Sequence, residues 1–170
     1  AGKKGKGIHF GKTDPETHVR YRLAEPLDNR QEWTIAFYLR PDNPAVTDHQ
    51  AYSYLFRTDN TGTWKDGNII AGFCKWGAMR IQRFDSKRKM YESRVSASLF
   101  AGQKWTHFAL ASKQGKMTLF VNGIPASLAP EEICASGSPQ HFLRIGALDK
   151  NTKSRFAGTL DELKVFNKAL

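Results

Sequence analysis

Residues 32–40 read EWTIAFYLR, with Trp33, Ile35, Phe37 and Leu39 in one register and Thr34, Ala36, Tyr38 and Arg40 in the other. A period of two belongs to a strand, whose successive side chains point to opposite faces. One face is therefore expected in a core and the other in a wetter setting. Pro41 and Pro44 close the run, because proline brings no N–H to a ladder. No segment carries a helical apolar period over three turns. Short β-rich runs alternate instead with turn residues, at 7–11, 18–23, 51–57, 69–74, 78–84, 91–99, 142–148 and 156–166. Residues 105–123 (WTHFALASKQGKMTLFVNG) read as a hairpin turning at 113–115. Residues 124–141, with Pro125, Pro130 and Pro139, read as a loop with one helical turn at 130–134. This rhythm is that of an all-β sandwich or barrel.

A chain of 170 residues with 40% hydrophobic content can bury its own core. We expect a single domain over residues 1–170, excised from a larger protein. No run of 18 apolar residues offers a membrane-spanning helix. The opening AGKKGKG has no apolar stretch behind its charges, unlike a secretory signal. The formal net charge of +10 draws polyanions, whether nucleic acid, acidic membrane or acidic polysaccharide. Cys74 and Cys134 cannot define a disulfide framework, and the sequence leaves open whether they meet.

Four pieces in order, EWTIAFYLRP, KWTHFALASKQGKMTLFVNG, LRIGA and FAGTLDELKVFNKAL, resemble the laminin-G-like, concanavalin A-like jelly-roll superfamily. Its bacterial lectin-like modules carry a Trp-x-His-hydrophobic-Ala strand, a strand ending Val-(Asp/Asn)-Gly, and a closing strand with an Asp-Glu pair. The resemblance implies two antiparallel sheets packed face to face, little or no helix, and one sheet curved around a concave surface. It also implies binding of carbohydrate or protein outside the cell, hence an extracellular or cell-surface location. Polysaccharide hydrolases and lyases share the fold, so fold alone does not settle function.

Glycoside hydrolysis needs two carboxyl groups converging on one bond. Asp161 and Glu162 are adjacent, and strand alternation sends neighbours to opposite faces. The Glu-x-Asp-x-x-Glu strand of the superfamily's glucanases is absent, and Gln140-His141 lacks the Gln-x-His spacing of its lyases. No Gly-x-Ser-x-Gly elbow occurs. His9, His18, His49, His107 and His141 show no zinc-type spacing. His107, in the hairpin, reads as scaffold. Oxygen-rich turns at 59–62, 66–68 and 149–152 are where a structural Ca²⁺ would sit, although none supplies the six to eight oxygens that calcium takes. Asp161 matches the closing-strand Asp of the resemblance and reads as a structural acceptor.

Cations concentrate at 75–94, where Lys75, Arg80, Arg83, Lys87, Arg88, Lys89 and Arg94 face only Asp85 and Glu92, with Trp76, Phe84 and Tyr91 interleaved. Guanidinium forks grip carboxylate or sulfate, and aromatic rings offer platforms to sugar C–H faces. In AMRIQRF, Met79 and Ile81 facing a core would turn Arg80 and Gln82 outward. We expect Arg80 to join Tyr38, Arg40 and Arg94 in one groove, with Arg57, Gln82, Trp64 and Trp76 completing the carbohydrate-binding set. Residues 86–89 read as a solvated tip whose lysines guard an edge strand. No helix-turn-helix, zinc finger or RNP-type strand appears, which turns the expectation away from nucleic acid. Taken with the charge, the superfamily resemblance implies a non-catalytic carbohydrate-binding or adhesion module for uronic or sulfated polysaccharide. A polysaccharide lyase or hydrolase with an unfamiliar site, or a module docking onto an acidic protein, are the alternatives.

Overall fold

A computed structural model describes residues 3, 5–11, 18–28, 30–42, 52–60, 66–74, 77–126, 137–147 and 155–170. Among these residues there are twelve strands: β1 (Ile8–Phe10), β2 (Val19–Leu27), β3 (Trp33–Pro41), β4 (Tyr52–Asp59), β5 (Ile69–Cys74), β6 (Ala78–Phe84), β7 (Met90–Ser96), β8 (Thr106–Lys113), β9 (Lys116–Val121), β10 (Ile124–Ala126), β11 (Gln140–Ile145) and β12 (Gly158–Phe166). Among the described residues the only helical turn is 3₁₀, at Ala97–Phe100. The expected turn at 130–134 lies outside the described residues.

The strands form two six-stranded sheets, ordered β1-β12-β3-β8-β9-β10 and β2-β11-β4-β5-β6-β7. Every strand pairing is antiparallel. Between the sheets, Phe37 stacks on Phe108 at 4.7 Å, and Phe56 meets both edge-on. Trp33, Ile35, Phe37 and Leu39 are all buried in this core, as their alternation requires. Across the outer face of β3 the burial differs from the simple alternation. Thr34 is fully buried because its hydroxyl donates to the Lys168 carbonyl and accepts the Leu170 N–H, folding the chain's last residues over it.

Two turns follow from local chemistry. Gln114 and Gly115 both have positive φ, as a two-residue type I′ hairpin turn between twisted strands demands. Asn122 and Gly123 (φ 53° and 81°) do the same, which corrects the reading of 124–141 as a loop from its start. Asn-Gly tolerates two left-handed residues, so the chain reverses and Ile124–Ala126 returns as β10 along β9. Pro125 is accommodated because β10 is an edge strand.

Asp85 organises the β6–β7 turn. One carboxylate oxygen accepts the Lys87 and Lys89 N–H groups at 2.8 Å each, and Arg88 is left-handed (φ 64°). The cations at 87–89 therefore sit in the turn rather than along edge strand β7, whose own charges are Glu92 and Arg94. Cys74 is a buried, unbridged thiol.

Candidate functional site

Register decides which of the sequence-selected residues meet. On β6, Met79 and Ile81 point into the core, and Arg80 and Gln82 point outward. Arg94 pairs directly with Arg80 across β6 and β7, and Arg57 lies on the same sheet on β4. Tyr38 and Arg40 belong to β3, in the other sheet. The expected groove of Arg80, Arg94, Tyr38 and Arg40 is thus divided between the two outer faces of the sandwich. Alternation within one strand says which residues share a face of that strand, but it carries nothing about the sheet that the strand joins. Arg40 instead lies 5.2 Å from the Trp105 ring centroid. Trp64 and Trp76 lie outside the described residues.

The outer face of the β2-β11-β4-β5-β6-β7 sheet is lined with arginines. Register places Arg20 and Arg22 on β2 beside Arg144 and Phe142 on β11, and Arg144 beside Arg57 on β4. Asp59 holds the first group: its oxygens stand 2.9 Å from Arg57, 3.4 Å from Arg144 and 3.7 Å from Arg20. Glu92 holds the second, 2.7 Å from Arg80 and 2.6 Å from Arg94. Gln82 donates to the same Glu92 carboxylate at 3.1 Å. The Glu92 carboxylate holds the Arg94 guanidinium above its ordinary range of basicity.

Aromatic rings lie among these cations. The Arg80 guanidinium sits 4.2 Å over the Tyr52 ring and donates to its hydroxyl. Tyr52 and Tyr54 stand 5.8 Å apart on β4, both half-buried, and Arg20 covers Phe142 at 3.7 Å. Opposite Tyr54 in the β4–β5 register lies Gly72, where a Cβ would come within 2.5 Å of the Ser53 carbonyl. Close backbone approach at the β4 bulge between Tyr54 and Phe56 therefore excludes a side chain there.

Arg57 and Arg80 are more than nine-tenths buried, yet the Nε atoms of Arg57, Arg80 and Arg144 have no hydrogen-bond partner. A buried donor left unmade costs about 1–3 kcal/mol, so such groups call for an explanation. The guanidiniums are held in place by Asp59, Glu92 and Tyr52, which leaves these inward Nε groups enclosed and turns only the outer edges of Arg20, Arg22 and Arg94 to solvent.

Sequence reading selected Arg57, Arg80, Gln82 and Arg94 but missed Arg20, Arg22, Arg144, Tyr52 and Tyr54. A signal existed in VRYRL, where arginines alternate on one face, and in FLRI, where Arg144 opposes the core residue Leu143.

A family model described as the concanavalin A-like lectin/glucanases superfamily matches residues 14–170. The chain belongs to that superfamily. No curated protein sequence matches it. Among solved structures, the concanavalin A-like sandwich is similar to the binding domain of Paraclostridial Mosquitocidal Protein 1 (TM-score 0.75, 18% identity, covering 99% of this chain and 42% of that one). It is also similar to the botulinum neurotoxin serotype D ligand binding domain in complex with N-acetylneuraminic acid (TM-score 0.68, 13% identity, 90% and 37%). A third similar structure is the CBM40 of the Ruminococcus gnavus IT-sialidase bound to α2,3-sialyllactose (TM-score 0.60, 14% identity, 90% and 92%). The chain thus spans about two-fifths of the toxin domains and nearly all of the sialidase module.

Within this concanavalin A-like frame the other selected groups fall into place. Asp161 accepts the Glu162 N–H at 2.9 Å. A bulge between Asp161 and Lys164 breaks the alternation expected of the Asp161-Glu162 pair, and Glu162 takes a left-handed φ of 54°. Of the oxygen-rich turns, Asp59 serves the arginines and Asp66 accepts the Ser138 N–H at 3.0 Å and its hydroxyl. Residues 149–152 lie outside the described residues. Among the described residues no three His, Cys, Asp or Glu side chains gather as a metal site.

Proposed function

We propose that this domain is a non-catalytic carbohydrate-binding module that takes an acidic glycan on its arginine face, outside the cell. The observation that carries this reading is the register that gathers Arg57, Arg80 and Arg144 on one outer sheet face. Arg20, Arg22 and Arg94 extend that face, and Asp59 and Glu92 are the carboxylates paired to it. Guanidiniums bind carboxylate or sulfate as planar forks, and Tyr52 and Tyr54 offer a ring surface between the two clusters. The sialic acid and sialyllactose complexes named above are of acidic sugars on similar sandwiches, which agrees with this chemistry.

Calorimetric titration with uronic and sulfated oligosaccharides, beside neutral ones, tests the reading. Acidic oligosaccharides should bind, more weakly as salt screens the charges. Binding of neutral sugars alone would sink the charge argument. New reducing ends or unsaturated products on incubation with the same substrates would replace a binding module with an enzyme.

A further inference from the structure

The opposite outer face, on the sheet of β3 and β8, carries a bowl of about 390 Å³. Register builds it. One row across the sheet runs Lys164, Ala36, Ala109, Phe120, and the next pairs Tyr38 with His107. Two facing alanines leave a hollow that larger neighbours surround. Tyr38 and His107 stand 5.0 Å apart at one edge, and Phe120 and Phe166 form other parts of the rim. The β12 bulge adds a residue between Asp161 and Lys164, which brings Glu162 into the lining. Bulges recur where a strand must re-aim a side chain, and a left-handed glutamate is a strained choice for a purely structural position.

The charged side chains of the lining, Glu162 and Lys164, balance each other. Glu162 and Lys164 pair at 3.0 Å. Burial, with Lys164 nearby, pushes the His107 imidazole below its ordinary value, so the neutral ring is favoured. Lys3 stands 5.7 Å from the Tyr38 ring, outside the lining. What remains is a carboxylate acceptor, an ammonium donor, a neutral imidazole and aromatic edges over an apolar floor. Pockets that bind small molecules have this make-up, mostly apolar with a few placed polar groups, and this one lies near the small end of their size range.

We propose that the bowl is a second binding site, for one uncharged sugar ring, separate from the arginine face. Alanine floor and aromatic rim would contact the ring's C–H faces, while Glu162, Lys164 and His107 would meet its hydroxyl groups. The reading goes beyond the acidic-glycan proposal and does not depend on it.

The test follows the His107 imidazole signals by NMR in the full chain, during titration with uncharged methyl glycosides of glucose, galactose, mannose, fucose and N-acetylglucosamine. At least one should shift His107 saturably. The shift should vanish in A109L, which fills the floor, and its apparent affinity should fall at least tenfold in F120A. F120A adds no bulk and covers the case in which A109L does not fold. R80K should leave the shift unchanged, which separates this site from the arginine face. No shift with any glycoside overturns the proposal, as does a shift that survives both bowl variants. An equal response to cyclohexanol, a ring without the hydroxyl pattern, would also overturn it, in favour of a site for apolar ligands.

Discussion

Arg57 and Arg144 face each other across β4 and β11, and a single carboxylate, Asp59, serves both. Like charges directly opposite on a sheet repel. Their pairing is tolerable because Asp59 sits between them, and Arg20 leans on the same carboxylate from β2.

Removing that carboxylate should expose the conflict. D59N is expected to lower stability by about 3 kcal/mol, the scale for breaking a buried ion pair. An anionic oligosaccharide should recover part of the loss by taking the place of Asp59. The ligand-induced rise in Tm should therefore be larger in D59N than in the unmodified protein, measured by differential scanning fluorimetry.

Arg80 is held by Glu92, the Tyr52 ring and the Tyr52 hydroxyl. Lysine keeps the charge but not the planar fork or the stacking. R80K should weaken acidic-glycan binding by roughly tenfold, about 1.4 kcal/mol, with little change in the salt dependence. Calorimetric titration at several salt concentrations separates the fork from the charge.

Gly72 lies where the backbone of β4 comes too close for a side chain. G72A should cost about 1–3 kcal/mol through overpacking, and it should disturb its register partner Tyr54. Denaturant midpoints report the first effect. A loss of affinity larger than the stability change would report the second.

His107 gives a pH prediction. Its folded value lies below the ordinary imidazole value of about 6.5. Above that value both folded and unfolded chains hold the ring neutral, so its stability contribution is complete. As pH falls, the unfolded chain takes the proton first, and the folded state loses stability until its own, lower value is passed. Unfolding free energy followed against pH should therefore drop more in the unmodified protein than in H107Q below about pH 6.5. K164Q should move the NMR-measured His107 titration part of the way back upward, since desolvation remains.

Much of the strand inventory was legible because it is local. The β5 and β6 limits agree with the apolar runs at 69–74 and 78–84, and the outward turn of Arg80 followed from the burial of Met79 and Ile81. The return of β10 was legible in Asn122-Gly123, a two-residue signal that the prolines beyond it obscured. For His107, the hairpin around it does pair β3 with β9 through β8, as scaffold would, while its ring also lines the bowl.

By itself the sequence determined the all-β class, most of the strands, and which residues share a face in strands without a bulge, such as β3 and β6, because alternation and turn chemistry act over a few residues. Tertiary structure alone decided that Tyr38 and Arg40 stand on the far face from Arg80, and that Arg20, Arg57 and Arg144 meet around Asp59. The reason is that strand order in a sheet is a matter of non-local pairing: β2, β4 and β11 are far apart in the chain and adjacent only once the core between the two sheets has closed.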